Sequence, residues 1–179
     1  KGDGSYLHQY SFDVQNEKMA NLDGLITESF GSKPVSYRAG RYSFDKNIIT
    51  ILTKHSYLAD TSVTPGISWE NDAGPDFKKQ TYRDYFYQAQ GISRLLEVPV
   101  SIKIRSGFFG LSNFLYLNTP NWTHAEGFLR RTVGFDIIWL DPSFNSFENM
   151  KWLCDCFIGE GANCLNIMFH SSAIITGGT

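Results

Sequence analysis

Helical and strand-like patterns alternate along this chain, and that alternation constrains its fold more than any other feature. Asn16 to Phe30 places Met19, Leu22, Ile26 and Phe30 at helical spacing, with Gly31 as a stop. Pro34 then breaks the chain, and Val35 to Arg38 reads as a short strand. Phe44 to Lys54 is a second amphipathic helix, with Ile48, Ile49 and Leu52 on one side. Tyr57 to Val63 is the next strand, ended by Pro65-Gly66. Ser68 to Gln90 is polar and aromatic without a clean period and reads as a long loop. Beyond it, Leu95 to Ile104 reads as a strand, Thr123 to Val133 as a helix, Phe135 to Leu140 as a strand and Ser146 to Ile158 as a helix. Cys164 to Phe169 is a continuous apolar strand running into His170. Such alternation predicts an α/β fold with parallel strands, and continuous apolar runs suit a sheet covered on both faces. A complete eight-fold barrel takes ~250 residues. The expectation for these 179 residues is a distorted, incomplete (β/α) barrel of mainly parallel strands, in a single domain spanning 1–179.

Composition removes several function classes. Apolar residues make up 42% and charged residues 19%, the balance of a soluble globular chain with a core. The net charge is −2 with no long basic run, which argues against nucleic acid as a partner. No stretch approaches the ~20 apolar residues of a membrane span, and no signal peptide is visible. The chain opens Lys1-Gly2-Asp3-Gly4 without a Met, so its first residue is not expected to be a native translation start. Cys154, Cys156 and Cys164 are too few, and odd in number, for a disulfide framework. That count favours a cytoplasmic location over a secreted one without deciding it, and nothing in the sequence speaks to oligomeric state. The 15% of aromatic residues suits rings stacking on sugar faces, and equally suits a large core with one aromatic-lined pocket.

In parallel α/β folds, functional side chains gather where strands end and loops begin. Arg38 ends the first strand, Asp60 lies near the end of the second, and His170 ends the last. Glu97 stands inside an otherwise apolar strand, where a carboxylate needs a partner, and Arg38 is the expected one. Asp60 equally suits a turn cap before Pro65, and His170 a satisfied core histidine. His55 and His124 sit in polar surroundings and are expected to face solvent. Tyr82, Tyr85, Phe86 and Tyr87 either line a groove or pack a loop.

Several segments resemble the polysaccharide deacetylases, in family order. Ser36-Tyr37-Arg38-Ala39-Gly40-Arg41-Tyr42 looks like the family's arginine motif. Asp60-Thr61-Ser62-Val63-Thr64-Pro65-Gly66, Gly74-Pro75-Asp76-Phe77 and Leu96-Glu97-Val98-Pro99-Val100-Ser101 are similar to the segments that follow it. Leu165-Asn166-Ile167-Met168-Phe169-His170-Ser171-Ser172 resembles the last motif, a strand ending in histidine. The resemblance implies hydrolysis of acetyl groups from an amino sugar or polysaccharide, hence a carbohydrate partner, with a divalent metal, commonly zinc, that polarises the carbonyl and activates water. It implies His170 as the acid that protonates the leaving group and Arg38 as the residue orienting the base. It places Tyr42, Asp60 and Glu97 at the substrate and His8 among the metal ligands.

The chain also departs from the family pattern. The strand carrying the family's base and one metal-binding aspartate would precede Lys1. Where the subgroup of the family that resembles this chain most writes His-x-His, this sequence reads Tyr6-Leu7-His8, and Asp141 stands where related sequences tend to carry Arg. A catalytic zinc takes about three protein ligands, and one matching donor falls short of that. Three functions therefore compete: an acetyl-removing hydrolase, a glycan-binding relative without turnover, and a structural protein on the same fold.

Overall fold

The computed structural model describes residues 4–88, 94–106, 110–119 and 134–170, so the helix expected over Thr123 to Val133, with His124, lies outside the described residues. The chain divides into two compact units. Unit 1 comprises Lys1–Val63, Trp69–Asp76 and Asp84–Pro99, and unit 2 comprises Thr64–Ser68, Phe77–Arg83 and Val100–Thr179. Among the described residues no helix is long and apolar enough to cross a membrane.

The first α-helix of unit 1 is α1, Phe12–Phe30, which follows a short 3-10 turn at Leu7–Gln9. Its end is set by Gly31, which takes a left-handed φ of 71° and returns its N–H to the Thr27 carbonyl, a geometry that costs a residue with a Cβ. The buried stripe of α1 is Gln15, Met19 and Asp23, one residue every turn. This corrects the expected apolar stripe, because Leu22 and Phe30 are 41% and 78% exposed. Asp23 can go inside because it accepts from Tyr57 and His55, and Gln15 Nε2 donates to the Tyr10 carbonyl although Gln15 Oε1 meets no donor.

Strand β1, Ser36–Tyr37, leads to helix α2, Lys46–Lys54, whose N-cap Asp45 accepts the Ile48 N–H. Ile48, Ile51 and Leu52 of α2 pack with Met19, Tyr57 and Leu95 to form the core of unit 1. Each such aliphatic side chain contributes about 1.5–3 kcal/mol by leaving water. Strands β2, Ala59–Asp60, β3, Tyr85–Gln88, and β4, Arg94–Glu97, complete a sheet in the order β1-β2-β4-β3. β1, β2 and β4 run parallel, while β3 is antiparallel to β4. The segment expected to be an irregular loop thus contains a strand, which pairs only because β4 offers it an edge.

Unit 2 holds β5, Ile102–Ser106, helix α3, Leu111–Asn118, β6, Phe135–Trp139, and helix α4, Phe147–Gly159. β5 and β6 pair antiparallel over their full lengths. α4 starts at Ser146, whose hydroxyl accepts the Asn149 N–H, and packs Leu153 and Phe157 on Ile138 and Leu140. Cys154 and Cys156 on α4 are half-buried free thiols, and Cys164 is exposed.

Two strand expectations are corrected. Leu95 to Ile104 is not one strand: it breaks after Glu97, and Pro99, which has no N–H to give a ladder, ends unit 1. Cys164 to Phe169 forms no regular strand. Instead it wedges into the end of the β5–β6 pair: Ser101 N–H donates to the Asn166 carbonyl, Met168 N–H to the Leu140 carbonyl, and Leu140 N–H to the Ser101 carbonyl. Leu165, Ile167 and Phe169 remain 37–49% exposed. The fold is mixed α/β with parallel strands, and among the described residues no ladder closes the two sheets into a barrel.

Candidate active site

Because β1, β2 and β4 are parallel, their C-terminal ends share one edge of the sheet of unit 1. Arg38 directly follows β1, Asp60 is the last residue of β2, and Glu97 is the last residue of β4. Register sharpens the arrangement. Tyr37 pairs with Asp60, Asp60 with Glu97, and Glu97 with Tyr85, so one row of side chains crosses all four strands. Paired residues in a sheet share a face.

Asp60 and Glu97 are each 0% exposed. Asp60 Oδ1 accepts the Ser62 hydroxyl and its Oδ2 the Ser62 N–H, both at 2.8 Å. Glu97 Oε1 accepts the Val63 N–H at 3.1 Å, while no donor reaches Oε2. The register sets the two buried carboxyls side by side on one face of the sheet. Burial, then the Asp60 charge, pushes the Glu97 carboxyl up to about 10, and burial raises Asp60 too. The partner of Glu97 is therefore chiefly another acid. Arg38 acts on Glu97 as the weakest of its influences, pulling the other way.

Arg38 is half-buried, and its Nε donates to Thr61 Oγ1 at 3.0 Å, which in turn donates to the Tyr37 carbonyl. The Ala39 N–H donates to Ser62 Oγ at 2.8 Å. The turn after β2 is thus tied to the turn after β1 through two hydroxyls. Thr61 and Ser62 were missed from sequence, although an Asp followed by two hydroxyl residues at a strand end is a recognisable turn signal. β3 adds Tyr85 and Tyr87, whose hydroxyls share a hydrogen bond of 2.7 Å. Burial pushes the hydroxyls of Tyr37 and Tyr85 up to about 12, with the Asp60 charge adding to both, so these phenols stay neutral around the carboxyls.

Tyr42 is half-buried and stacks on Trp69 with centroids 5.3 Å apart and planes 18° from parallel. Arg41 and Tyr42 both adopt left-handed backbone, with φ of 55° and 56°, at a cost of about 1–3 kcal/mol each. The Arg41 guanidinium lies 5.9 Å from the centre of the Tyr6 ring. Gly74 passes so close that a Cβ there would stand 2.6 Å from the Trp69 Cβ and 3.0 Å from the Tyr6 ring. Trp69 is a second aromatic that sequence reasoning did not single out.

His8 hydrogen-bonds Ser43 Oγ through Nδ1 at 2.9 Å, and Tyr6 beside it is 2% exposed. Among the described residues no group of three or more His, Cys, Asp or Glu side chains could hold a metal ion. A buried phenol is a poor substitute for an imidazole ligand, so Tyr6 and His8 by themselves fall short of the donor set of the divalent metal that the resemblance implies. His170 belongs to unit 2 and is exposed at the end of its described segment, with Ser171 and Ser172 outside the described residues. Asp141, also in unit 2, is 0% exposed, its Oδ1 accepting the Ser143 N–H at 2.7 Å. His55 corrects another expectation: it is 13% exposed and binds Asp23, not solvent. Tyr82 packs against the core of unit 2.

No family model matches the sequence, and no curated protein matches it. Among solved structures, the chain is similar to the crystal structure of a proposed polysaccharide deacetylase from Mycobacterium smegmatis, with 20% sequence identity and a TM-score of 0.42. The likeness covers 54% of this chain and 28% of that one.

Proposed function

We propose that this chain binds an acetylated sugar, free or within a polysaccharide, at the strand-end edge of unit 1 and hydrolyses its acetyl group as a deacetylase-like domain. The observation that carries this reading is that residues from three separate motifs, Arg38, Asp60 and Glu97, finish three adjacent parallel strands on one edge. Ligands of open parallel sheets bind at that edge. In hydrolysis, water adds to the acetyl carbonyl, the carbon–nitrogen or carbon–oxygen bond breaks, and the leaving group departs with a proton as acetate forms. Arg38 supplies positive charge where the carbonyl oxygen gains negative charge. The stacked Tyr42 and Trp69 form a wall against which a pyranose face packs. Asp60 and Glu97 are fully buried, so they hold the Arg38 turn instead of touching the sugar. The resemblance assigns the leaving-group proton to His170, and a His170→Ala chain tests that role by itself.

Glycan binding without turnover is a second reading, favoured by Tyr6. The position that matches a ligand histidine holds a phenol that is 2% exposed and packed by Arg41. The two readings separate in one experiment on an N-acetylglucosamine oligomer. Acetyl release is measured with and without added zinc, beside binding followed by tryptophan fluorescence. Release that falls about 100-fold in Arg38→Ala supports hydrolysis. Binding with no release supports the second reading, and neither binding nor release overturns both.

A further inference from the structure

We infer that Asp60 and Glu97 hold a single proton between them and act as a latch that positions the turn after β2, and with it Arg38. The inference does not depend on the chain acting on a sugar. It begins from a count of donors. Two adjacent carboxyls, both 0% exposed, present four oxygens. Asp60 receives a donor at each oxygen, from the hydroxyl and the N–H of Ser62. Glu97 receives one, from the Val63 N–H, and its Oε2 receives none. Two fully buried carboxyls set side by side by the strand register do not both ionise, so the pair retains a proton. Asp60, with both oxygens already accepting, is the better place for the negative charge, so Glu97 carries the proton.

The charged and titratable groups around the pair agree with this assignment. Arg38, beyond β1, is the cation acting on Glu97 and offsets one negative charge, not two. Tyr37 on β1 and Tyr85 and Tyr87 on β3 are held neutral by burial and by the acids themselves. Among the described residues Arg38 is the cation acting on the pair, and neighbouring buried like charges do not both ionise at moderate cost.

The latch follows from what the acids hold. Ser62 is bonded to Asp60 twice and accepts the Ala39 N–H on its hydroxyl. Val63 is bonded to Glu97. Thr61, the first residue of the same turn, accepts Arg38 Nε. With the proton in place, the turn is fastened from Thr61 to Val63 and Arg38 is fixed against it. When the proton leaves, Glu97 and Asp60 repel, and the Val63 and Ser62 bonds loosen together.

Two measurements on the whole chain test this. Infrared difference spectra between wild type and Glu97→Gln should contain one neutral-carboxyl C=O band at pH 7, lost as pH is raised toward 10. In heteronuclear NMR, the Ala39, Ser62 and Val63 amides should shift together over the same pH rise in wild type and stay still in Glu97→Gln. If Glu97→Gln does not fold, Asp60→Asn serves, since it also removes the shared proton and should also silence the joint shift. Absence of the neutral band at pH 7 overturns the shared proton. Amides that move identically in wild type and variant overturn the latch.

Discussion

Replacing Asp23 by alanine should cost the chain about 3 kcal/mol, the loss of two hydrogen bonds made to one carboxylate in the core. Asp23 lies on the inner stripe of α1 at 7% exposure. Its Oδ1 accepts the Tyr57 hydroxyl at 2.6 Å and its Oδ2 meets His55 Nδ1 at 2.7 Å. Tyr57 is 4% exposed, so losing the acceptor leaves its hydroxyl in the core without water. An orphaned buried polar group costs about 1–3 kcal/mol, and His55 Nδ1 loses its partner as well, while its Nε2 keeps Asn16 Oδ1 at 3.2 Å. Burial, then the bond to Asp23, raises the Tyr57 hydroxyl above the ordinary phenol range, so it remains a donor through neutral and mildly basic pH. Total stabilities of about 5–15 kcal/mol make the loss easy to see. The assay is urea unfolding of Asp23→Ala, Tyr57→Phe and the double variant, with the midpoint falling at constant m-value. Because the two groups touch, the double variant should lose less than the sum, with a coupling of about 1–3 kcal/mol. A loss below about 1 kcal/mol in Asp23→Ala, or strict additivity in the cycle, would refute the claim that this carboxylate anchors α1 to the core.

Other outcomes follow from the same geometry. Glu97 has a raised folded value, so its contribution is fully present below about 4.5 and is lost as pH climbs toward about 10. Wild type should therefore lose up to about 1.4 kcal/mol per pH unit relative to Glu97→Gln between pH 6 and 8, read from urea midpoints. Equal slopes for the two proteins would count against a protonated Glu97. Gly74→Ala should destabilise by about 1–3 kcal/mol through overpacking, because the obstructing Trp69 Cβ cannot rotate away; an unchanged melting temperature would contradict that contact.

Local signals carried much of this fold. Gly31 ends α1, Asp45 and Ser146 start α2 and α4, and both β1 and β6 fall inside runs legible from their residues. Caps and left-handed turns act over a few residues, and so can be read without knowing what lies across the molecule. Apolar character did less well. Cys164 to Phe169 is as apolar as a buried strand yet half-exposed, and Leu95 to Ile104 spans two units, because composition does not say which backbone edge is open.

The site divides in the same way. That Arg38 and Asp60 stand at or near strand ends was visible in the sequence, whereas Glu97, expected inside a strand, proves to close β4. That Glu97 faces Asp60 was not visible. It depends on β4 entering beside β2 and leaving β3 outside it, and on a register that sets Asp60 opposite Glu97. A slip of one residue would turn one of the acids to the other face. His55 changed from an expected surface residue to a partner of Asp23 because α1 packs Asp23 inward. The sequence by itself determined where α1 and α2 stop and where α4 starts, because stops and caps obey short-range sterics and hydrogen bonding, but it showed neither the start of α1 nor α3. Strand order, register and the partners of buried charges were decided only by tertiary packing, which selects one pairing among many that are locally equivalent.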